Sequence, residues 1–371
     1  MTLRAFLFGL NALIALFVGA YALLLPSLMR RDVLFGVTVA PDARSTAAGR
    51  RIIAGYRIGV ALLTLVLGGA WLAAYALAPE DWLRSPWLTS GVVAVELLIA
   101  APYFFAHFAA RALTAPAGPN AAVAAPAAPA AELRPRHYGD YVSWVWELLP
   151  IAVIAATVAY LTPHYADAPA LVPQHYDLSG HVDQYAPKSI GTYFILVWVQ
   201  LFIEVLLTSL SVLIVGAKAV PGAAEDRFRR IWLRGLFGLK TLILLLMGTL
   251  AVTISSAATS ANLPAAAILW PTLSFLVIVF IGTIALSIRT GQGGSRLGSP
   301  EETATDRTSD RYWKLGMIYV NPNDPAILVE QRFGIGWTVN FGNPRSLLVL
   351  LGVALGTAAF IVVIILVSTP R

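Results

Sequence analysis

Long apolar segments recur along this chain, and their length restricts the fold more than any other feature. A helix of about 20 apolar residues crosses the hydrocarbon core of a bilayer, which is about 30 Å thick. Only 12% of the residues are charged, whereas about 25% is usual in soluble domains. The sequence therefore predicts an all-α polytopic membrane protein of about eight transmembrane helices, with a small β-rich cytoplasmic module. The predicted spans are Leu3–Leu25, Tyr56–Leu77, Trp87–Ala109, Trp144–Thr162, Gly191–Gly216, Gly235–Ala258, Ala265–Ile288 and Ser346–Val367.

Composition divides the chain into five regions. An Ala/Pro-rich tract has too little large apolar surface to fold and is typical of an extended linker. Short β-branched and aromatic pieces near the C-terminus, separated by the turn signal Asn321–Pro325, predict the β-rich module. The regions are 1–110 with spans 1–3 and a basic loop at 26–55, the linker 111–143, 144–288 with spans 4–7 and a polar loop at 163–190, the module 289–345, and the last span 346–371.

The distribution of Lys and Arg predicts the orientation. The loops after spans 1, 3, 5 and 7 carry 5, 3, 5 and 7 of these residues, and the opposite side carries 4. Because basic loops stay in the cytoplasm, both termini and loop 163–190 are expected outside an inner (cytoplasmic) membrane. The linker and the module are expected inside. Residues 218–234 are predicted to be a basic connector, and Arg57 and Lys240 are assigned to span edges that face the basic loops.

Several classes of function are disfavoured. The net charge of +6 could suggest a nucleic-acid partner, but the basic residues are spread over the inter-span loops, so the expected partner is the lipid bilayer and no nucleic acid. The chain has no cysteine, which excludes disulfides, thiolate catalysis and thiolate metal sites. No serine lies at a nucleophile elbow. No cofactor is predicted, and an enzyme is not favoured.

Ionisable groups inside the spans are candidate functional residues. Glu96 lies near the middle of span 3 and Glu204 near the middle of span 5. A carboxylate at that depth costs on the order of 2.5–3.5 kcal/mol, so it requires a partner or a proton. One interpretation is a proton or cation path between these spans, and the other is hydrogen-bonded helix packing. Helical spacing adds polar neighbours to each: Gln200, Thr208 and Ser211 to Glu204, and His107 to Glu96.

The polar loop 163–190 holds the second candidate site. Gly180 after Ser179 favours a turn, so the loop is predicted to be a hairpin that brings Asp177, Asp183 and Lys188 within salt-bridge reach. Three interpretations stay open: a metal site of His175, His181 and Asp183, recognition of an external peptide or small molecule, or polar contacts that only stabilise the hairpin. The candidate residues are His175, Asp177, Gly180, His181, Asp183 and Lys188.

The segment Leu171–Ser189 resembles the signature loop of a bacterial multi-span family that includes the SdpI immunity protein. His175, Gly180, Asp183 and Lys188 fall on matching positions, and Asp177 stands where that family usually has Asn. The segment Asp310–Phe341 resembles a small module appended to some relatives. The resemblance implies immunity to a secreted toxin and signalling through a cytoplasmic protein partner.

Three functions follow as hypotheses. The first is a sensing or immunity protein that uses loop 163–190. The second is a proton-coupled transporter that uses Glu96 and Glu204, and the third is a membrane metalloenzyme that uses His175 and His181. For the module, about 35 residues bury little core, so it is predicted to pair with a short strand at Val33–Val39 or to pack on the inner membrane surface.

Overall fold

The structure is a computed structural model of the chain, and it describes residues 3–79, 93, 97–98, 100–114, 136–176, 182–218, 223–257, 265–298 and 309–368. The helices are α1 (Leu3–Leu28), α2 (Ala47–Leu63), α3 (Gly69–Leu77), α4 (Ala101–Ala110), α5 (Leu148–His164), α6 (Ile190–Tyr193), α7 (Ile195–Val215), α8 (Ala223–Ser256), α9 (Ala265–Thr290) and α10 (Pro344–Ser368). The strands pair in antiparallel twos: β1 (Val33–Leu34) with β2 (Val37–Thr38), β3 (Leu171–Tyr176) with β4 (Val182–Pro187), β5 (Trp313–Lys314) with β6 (Ile318–Tyr319), and β7 (Leu328–Glu330) with β8 (Trp337–Val339).

The helices confirm the predicted fold class. In the described part of the chain, seven helical segments are long and apolar enough to cross a membrane. The predicted span Trp87–Ala109 is described only in part, because α4 covers its end and most of the rest, including Glu96, lies outside the described residues. The seven segments are Leu7–Leu28, Ala47–Leu77, Trp144–His164, Ile195–Val215, Ala224–Ser256, Ala266–Gly294 and Pro344–Val367.

Helix α8 is longer than hydropathy alone predicts. It begins at Ala223, so the prediction of a connector at 218–234 is wrong for most of that range. Glu225 and Asp226 lie in its first turn, where acidic side chains interact favourably with the positive end of the helix dipole. Helix α8 contacts α5, α7 and α9, and it therefore lies at the centre of that part of the bundle.

A second core surrounds the loop between α1 and α2. The β1–β2 hairpin turns at Phe35 and Gly36, whose φ angles are 48° and 76°. Phe35 is fully buried and its ring packs against those of Tyr56, Tyr103 and Phe333. Because Phe333 belongs to the C-terminal module, this hairpin joins the first helices to the module.

The predicted contact between segment Val33–Val39 and the module is present, but its predicted form is wrong. β1 pairs with β2 rather than with a module strand, because the tight turn folds the segment back on itself. The contact is instead made by the turn: a Cβ on Gly36 would lie 2.5 Å from Gly316 Cα. Thr38 Oγ1 also donates to Asp310 Oδ1 at 2.6 Å.

The C-terminal module consists of the β5–β6 and β7–β8 hairpins, joined through a buried asparagine. Asn340 Nδ2 donates to the carbonyl oxygens of Asn321 and Asp324 at 2.9 and 3.0 Å. The module contacts the bundle just after α7, where Lys218 Nζ lies 2.6 Å from Asp324 Oδ2. The β-rich character of this region is confirmed, and its cytoplasmic location stays a prediction.

Candidate functional site

A cluster of three charged side chains, two of them buried and Glu204 partly exposed, lies between α5, α7 and α8. Lys240 of α8 is 2% exposed, and its Nζ donates to Glu147 Oε2 and, at 3.0 Å, to Glu204 Oε1. It also donates to Thr208 Oγ1 at 2.8 Å. A buried ammonium group is expensive unless it is paired and hydrogen-bonded, and here all three of its donors have an acceptor.

Helix geometry explains how the three helices supply these groups. Glu147 ends a short 3₁₀ turn, Trp144–Glu147, and immediately precedes α5. Glu204 and Thr208 are four residues apart on α7 and therefore lie on one face, with Thr208 Oγ1 donating to Glu204 Oε1 at 3.2 Å. Lys240 lies near the middle of α8.

A tyrosine completes the coordination of Glu147. Tyr138 OH donates to Glu147 Oε1 at 2.5 Å, so both oxygens of Glu147 accept hydrogen bonds. Burial, followed by the hydrogen bond and charge of Glu147, raises the pKa of Tyr138. Its phenol therefore stays protonated and acts as a donor.

The two carboxylates have different surroundings. Glu147 lies at the N-terminal end of α5, where the helix dipole favours negative charge. Glu204 lies inside α7, and its Oε2 is buried without a hydrogen-bond partner among the described residues. Both oxygens of Glu147 accept hydrogen bonds, whereas Glu204 keeps one oxygen without a described donor.

A second polar layer lies next to the cluster. Gln200 is fully buried, and its Nε2 donates to Leu244 O at 2.9 Å and to Thr157 Oγ1 at 3.3 Å. Gly248 makes this approach feasible, because a Cβ there would lie 2.7 Å from Thr157 Oγ1 and 3.2 Å from Gln200 Nε2. A glycine at a crossing of membrane helices permits such close contact.

The stripe predicted on span 5 is present on α7. Gln200, Glu204 and Thr208 contact α8, as described above. Ser211 is buried and donates to Leu207 O of its own helix. The partners of Glu204 are therefore Lys240 and Thr208, and Lys240 is shared with Glu147. Glu96, the partner that the sequence favours, lies outside the described residues.

His107 lies in the other core. Its Nδ1 is 2.8 Å from Phe35 O, to which it donates because a carbonyl only accepts. Tyr103 OH, one helical turn earlier on α4, donates to Leu315 O at 2.8 Å. His107 therefore stabilises the contact between the β1–β2 hairpin and the module. Its predicted place beside Glu96 involves a residue that is not described.

The predicted hairpin in loop 163–190 is present as β3 and β4. Leu171 pairs with Pro187 and Tyr176 with Val182, with irregular register around His175. The His175 side chain is exposed, and Asp183 lies within β4. Among the other candidate residues, Asp177, Gly180 and His181 lie outside the described residues, as does the side chain of Asp183.

Lys188 anchors this hairpin to the end of α5. Its Nζ donates to the carbonyl oxygens of Tyr165, Ala166 and Ala168 at 3.1, 3.2 and 2.8 Å. These carbonyls belong to the turn that follows α5, which ends at His164, and a cation there interacts favourably with the helix dipole. The predicted ion pairs of Lys188 with Asp177 and Asp183 involve side chains that are not described.

A small cavity of about 80 Å³ lies beneath the hairpin, between α5, α7 and α8. Gln174 and Thr192 line it, and Tyr193 OH lies 2.7 Å from Ser255 Oγ in its wall. Within the described residues, no group of three or more His, Asp or Glu side chains could hold a metal ion. The metal site of His175, His181 and Asp183 includes groups outside that range and stays a prediction.

Sequence reasoning missed Lys240 and Glu147. Lys240 is predicted at a span edge, and the structure adds that it is buried and shared by two carboxylates. Glu147 was not a candidate because it lies at the start of a predicted span. A signal was available, because a lysine in a span requires a carboxylate partner and the neighbouring spans contain two.

Two segments of the chain match families of unknown function. Residues 152–200 match the domain of unknown function DUF1648, and residues 322–347 match the family of unknown function DUF5808. No curated protein and no solved structure matches the chain. The first segment covers most of α5, the hairpin and α7 as far as Gln200. The chain is thus an integral membrane protein, and two of its segments match families of unknown function.

Proposed function

We propose that the chain is a proton-coupled membrane transporter in which Glu204 exchanges the proton. The observation that carries this proposal is the charge balance of the buried cluster: two carboxylates share one ammonium group. With both acids ionised the cluster has one uncompensated negative charge, and such a charge at bilayer depth is costly. One proton removes the imbalance.

The proton is assigned to Glu204 rather than Glu147. Glu147 accepts hydrogen bonds at both oxygens, so neither of them is left without a donor. Glu204 Oε2 has no hydrogen-bond partner among the described residues, so a proton there satisfies both the charge and the geometry. A change in the charge of Glu204 would act directly on Lys240, with which it is paired.

Polar groups along the seam of α5, α7 and α8 support a route for the proton. From the hairpin end they are the Tyr193–Ser255 pair, the Gln200–Thr157 pair and the charged cluster. On α8 the seam extends from Ser255 to Lys240, roughly 22 Å at 1.5 Å per residue. This distance covers most of a bilayer's hydrocarbon core. The proposal keeps Glu204 from the sequence-based hypothesis and replaces Glu96 by Glu147 and Lys240.

The test is proton uptake by the purified full chain in sealed lipid vesicles that contain a pH-sensitive dye. A potassium gradient with valinomycin sets the membrane potential. Uptake is expected in the unaltered protein and is expected to be lost in Glu204→Gln, which keeps the size of the side chain but holds no exchangeable acid. Glu225→Gln is the matched control, because Glu225 is another buried carboxylate on α8 outside the cluster.

Two results would contradict the proposal. One is the absence of proton uptake by the unaltered protein across a range of potentials. The other is equal uptake by the unaltered protein and Glu204→Gln. Infrared spectroscopy of a protonated carboxyl group gives an independent readout: its carbonyl band is expected to change with pH and to vanish in Glu204→Gln alone.

A second candidate function is recognition of an external peptide or small molecule by the β3–β4 hairpin. The observation that favours it is that the hairpin is fixed to the bundle: Lys188 binds three carbonyls at the end of α5, and Val172 packs in the same core as Leu161 and Tyr193. A ligand on the hairpin would therefore act on the helices that hold the cluster. The resemblance to the SdpI family implies that such a ligand is a secreted toxin.

This second function predicts that His175→Ala removes protection of cells against a toxic peptide without loss of folded protein in the membrane. His164→Ala is the control, since His164 is also exposed and lies at the end of α5 outside the hairpin. Full protection by His175→Ala together with an Asp183→Asn variant would exclude the hairpin as the recognition site.

A further inference from the structure

We propose that the chain binds the phosphate headgroup of an anionic phospholipid beside the end of α1. An open cavity of about 600 Å³ lies there, between the last turn of α1 and the first turns of α2. Arg44, Arg50 and Arg57 line it. Arginine is suited to phosphate because its planar fork donates two parallel hydrogen bonds to phosphate oxygens.

The cavity wall is one face of α2. Arg50, Ile53, Ala54, Arg57 and Ile58 line it, and their spacing of three and four residues is that of a single helix stripe. Two arginines therefore lie two turns apart on the same stripe, with apolar side chains between and beyond them. The two arginines of this stripe supply positive charge, and Ile53, Ala54 and Ile58 supply apolar surface beside it.

The positive charge of this site is not matched by acids. In the part of the chain that the structure describes, no ion pair joins Arg44, Arg50 or Arg57 to a carboxylate. The nearby Asp32 is paired with Arg30 at 3.4 Å. Burial, and after it the charge of Arg57, lower the pKa of Arg44, and Asp32 offsets them only in part. An anion would relieve this repulsion.

Two of the surrounding arginines also have a structural role. Arg44 donates to the carbonyl oxygens of Pro26, Met29 and Arg30, and Arg296 donates to that of Ser27 at 2.9 Å. These bonds satisfy carbonyls at the end of α1. Arg50 and Arg57 do not cap α1 in this way. Arg57 donates to the Ser27 hydroxyl at 2.6 Å and Arg50 to Ser45 O, so their guanidinium groups keep donors for a ligand.

The direction in which the cavity continues favours a lipid over free phosphate. Below Arg57, the side chains of Ile58, Leu62 and Leu65 are 59%, 56% and 72% exposed. They belong to a helical segment long and apolar enough to cross a membrane, so hydrocarbon covers them. A headgroup among the arginines would place its acyl chains along these side chains. Basic pockets between membrane helices are known to bind lipid headgroups in this manner.

The experiment measures phospholipid retention by the purified full chain in dodecyl maltoside, using native mass spectrometry with dioleoyl phosphatidylglycerol and dioleoyl phosphatidylcholine. Phosphatidylglycerol is expected to bind more tightly. The Arg50→Gln, Arg57→Gln double variant is expected to bind it about 25-fold more weakly, at about fivefold per arginine. Arg51→Gln is the matched control, since it removes the same charge from the same turn of α2 but Arg51 does not line the cavity.

Three outcomes would overturn the proposal. In the first, the double variant and Arg51→Gln retain phosphatidylglycerol equally, which is what a general effect of basic charge predicts. In the second, phosphatidylcholine binds as tightly as phosphatidylglycerol. In the third, inorganic phosphate displaces phosphatidylglycerol from the purified chain, which would assign the site to a free anion. If the double variant melts early, Arg50→Gln alone is used, with a fivefold loss expected.

Discussion

Two buried basic residues lie on α8, and they hold different kinds of charge. Arg229 and Lys240 are 0% and 2% exposed, and they are about three helical turns apart, so they lie on the same side of the helix. Both are paired with glutamates. The two residues lie on the same helix and are buried to a similar extent. Their sites differ in the number of carboxylates and in the other hydrogen-bond acceptors.

The Arg229 site combines one carboxylate with several backbone acceptors. Its guanidinium donates to Glu225 one turn earlier and to the carbonyl oxygens of Ile214, Val215 and Ala217 at the end of α7. A cation at a helix C-terminus is favourable. Arg229 and Glu225 balance one another in charge, and the remaining acceptors are uncharged. We interpret the Arg229 site as a structural contact that holds the end of α7 against α8.

The Lys240 site has one carboxylate more than the Arg229 site. Glu147 and Glu204 share the ammonium group, whereas the guanidinium of Arg229 is paired with Glu225. Glu204 and Glu225 each keep one buried carboxylate oxygen without a hydrogen-bond partner among the described residues, so this feature is common to both sites. With every group ionised, the three groups at Lys240 carry a net charge of minus one, and the pair at Arg229 is neutral. Burial of the cation is therefore the same at both sites, and the number of carboxylates around it differs.

The largest expected effect comes from Arg229→Met. The change leaves Glu225 and three carbonyls at the end of α7 without their donor, and breaking a buried pair in this way costs about 3–5 kcal/mol. The measurement is chemical unfolding of the purified chain in detergent. Arg227→Met is the control, because Arg227 is exposed on the same turn, and it is expected to stay within about 0.5 kcal/mol. Equal effects of the two changes would disprove the structural role of Arg229.

Lys240→Met is expected to have a smaller effect. It leaves Glu147 and Glu204 without the cation that they share and costs up to about 3 kcal/mol. Chemical unfolding of the purified variant in detergent measures the loss, with Arg227→Met as the control. A loss no larger than that of the control would contradict the pairing of Lys240 with the two carboxylates.

Glutamine substitutions of Glu225 and Glu204 should also differ in their effect on the free energy of unfolding. Glu225→Gln removes the acid that matches Arg229 and is expected to cost about 1–3 kcal/mol, the range for a lost hydrogen bond to a charged group. Glu204→Gln removes the excess negative charge and keeps an oxygen acceptor for Lys240, so it is expected to change stability by less than about 0.5 kcal/mol. Unfolding of both variants at pH 7 provides the comparison. A large loss in Glu204→Gln would indicate that Glu204 is ionised and structurally required.

Local features of the sequence were sufficient for seven of the eight predicted spans and for the pairing of β3 with β4. Each of these spans depends on the composition of its own segment, and the two strands of the hairpin are close together in sequence. The partners of Lys240 could not be predicted in this way, because Glu147 and Glu204 reach it from helices that are 93 and 36 residues away in sequence. The β1–β2 turn shows the same limit: Phe35 has a positive φ, an uncommon conformation for a non-glycine residue, and its tertiary contacts stabilise it.

The smallest expected effect concerns the pair Lys218–Asp324, which has one acid and one base outside the spans and therefore resembles the Arg229 type. Burial raises the pKa of Asp324, but hydrogen bonds from Lys218, the Ala326 N–H and Tyr319 outweigh it and hold the pKa below its ordinary value of 3.8. A pKa that is lower in the folded than in the unfolded state stabilises the fold at pH values above the unfolded-state pKa, and this contribution is lost as the pH falls through the folded-state pKa.

Asp324→Asn should thus cost about 1 kcal/mol at pH 7 and progressively less below about pH 4. Because Lys218 is half exposed, added salt should weaken this pair but leave the buried Arg229 site unchanged. Melting curves of the two proteins at pH 7 and pH 3, each in low and high salt, provide the test, and a difference that persists at pH 3 would show that the charge of Asp324 is not what joins the module to α7.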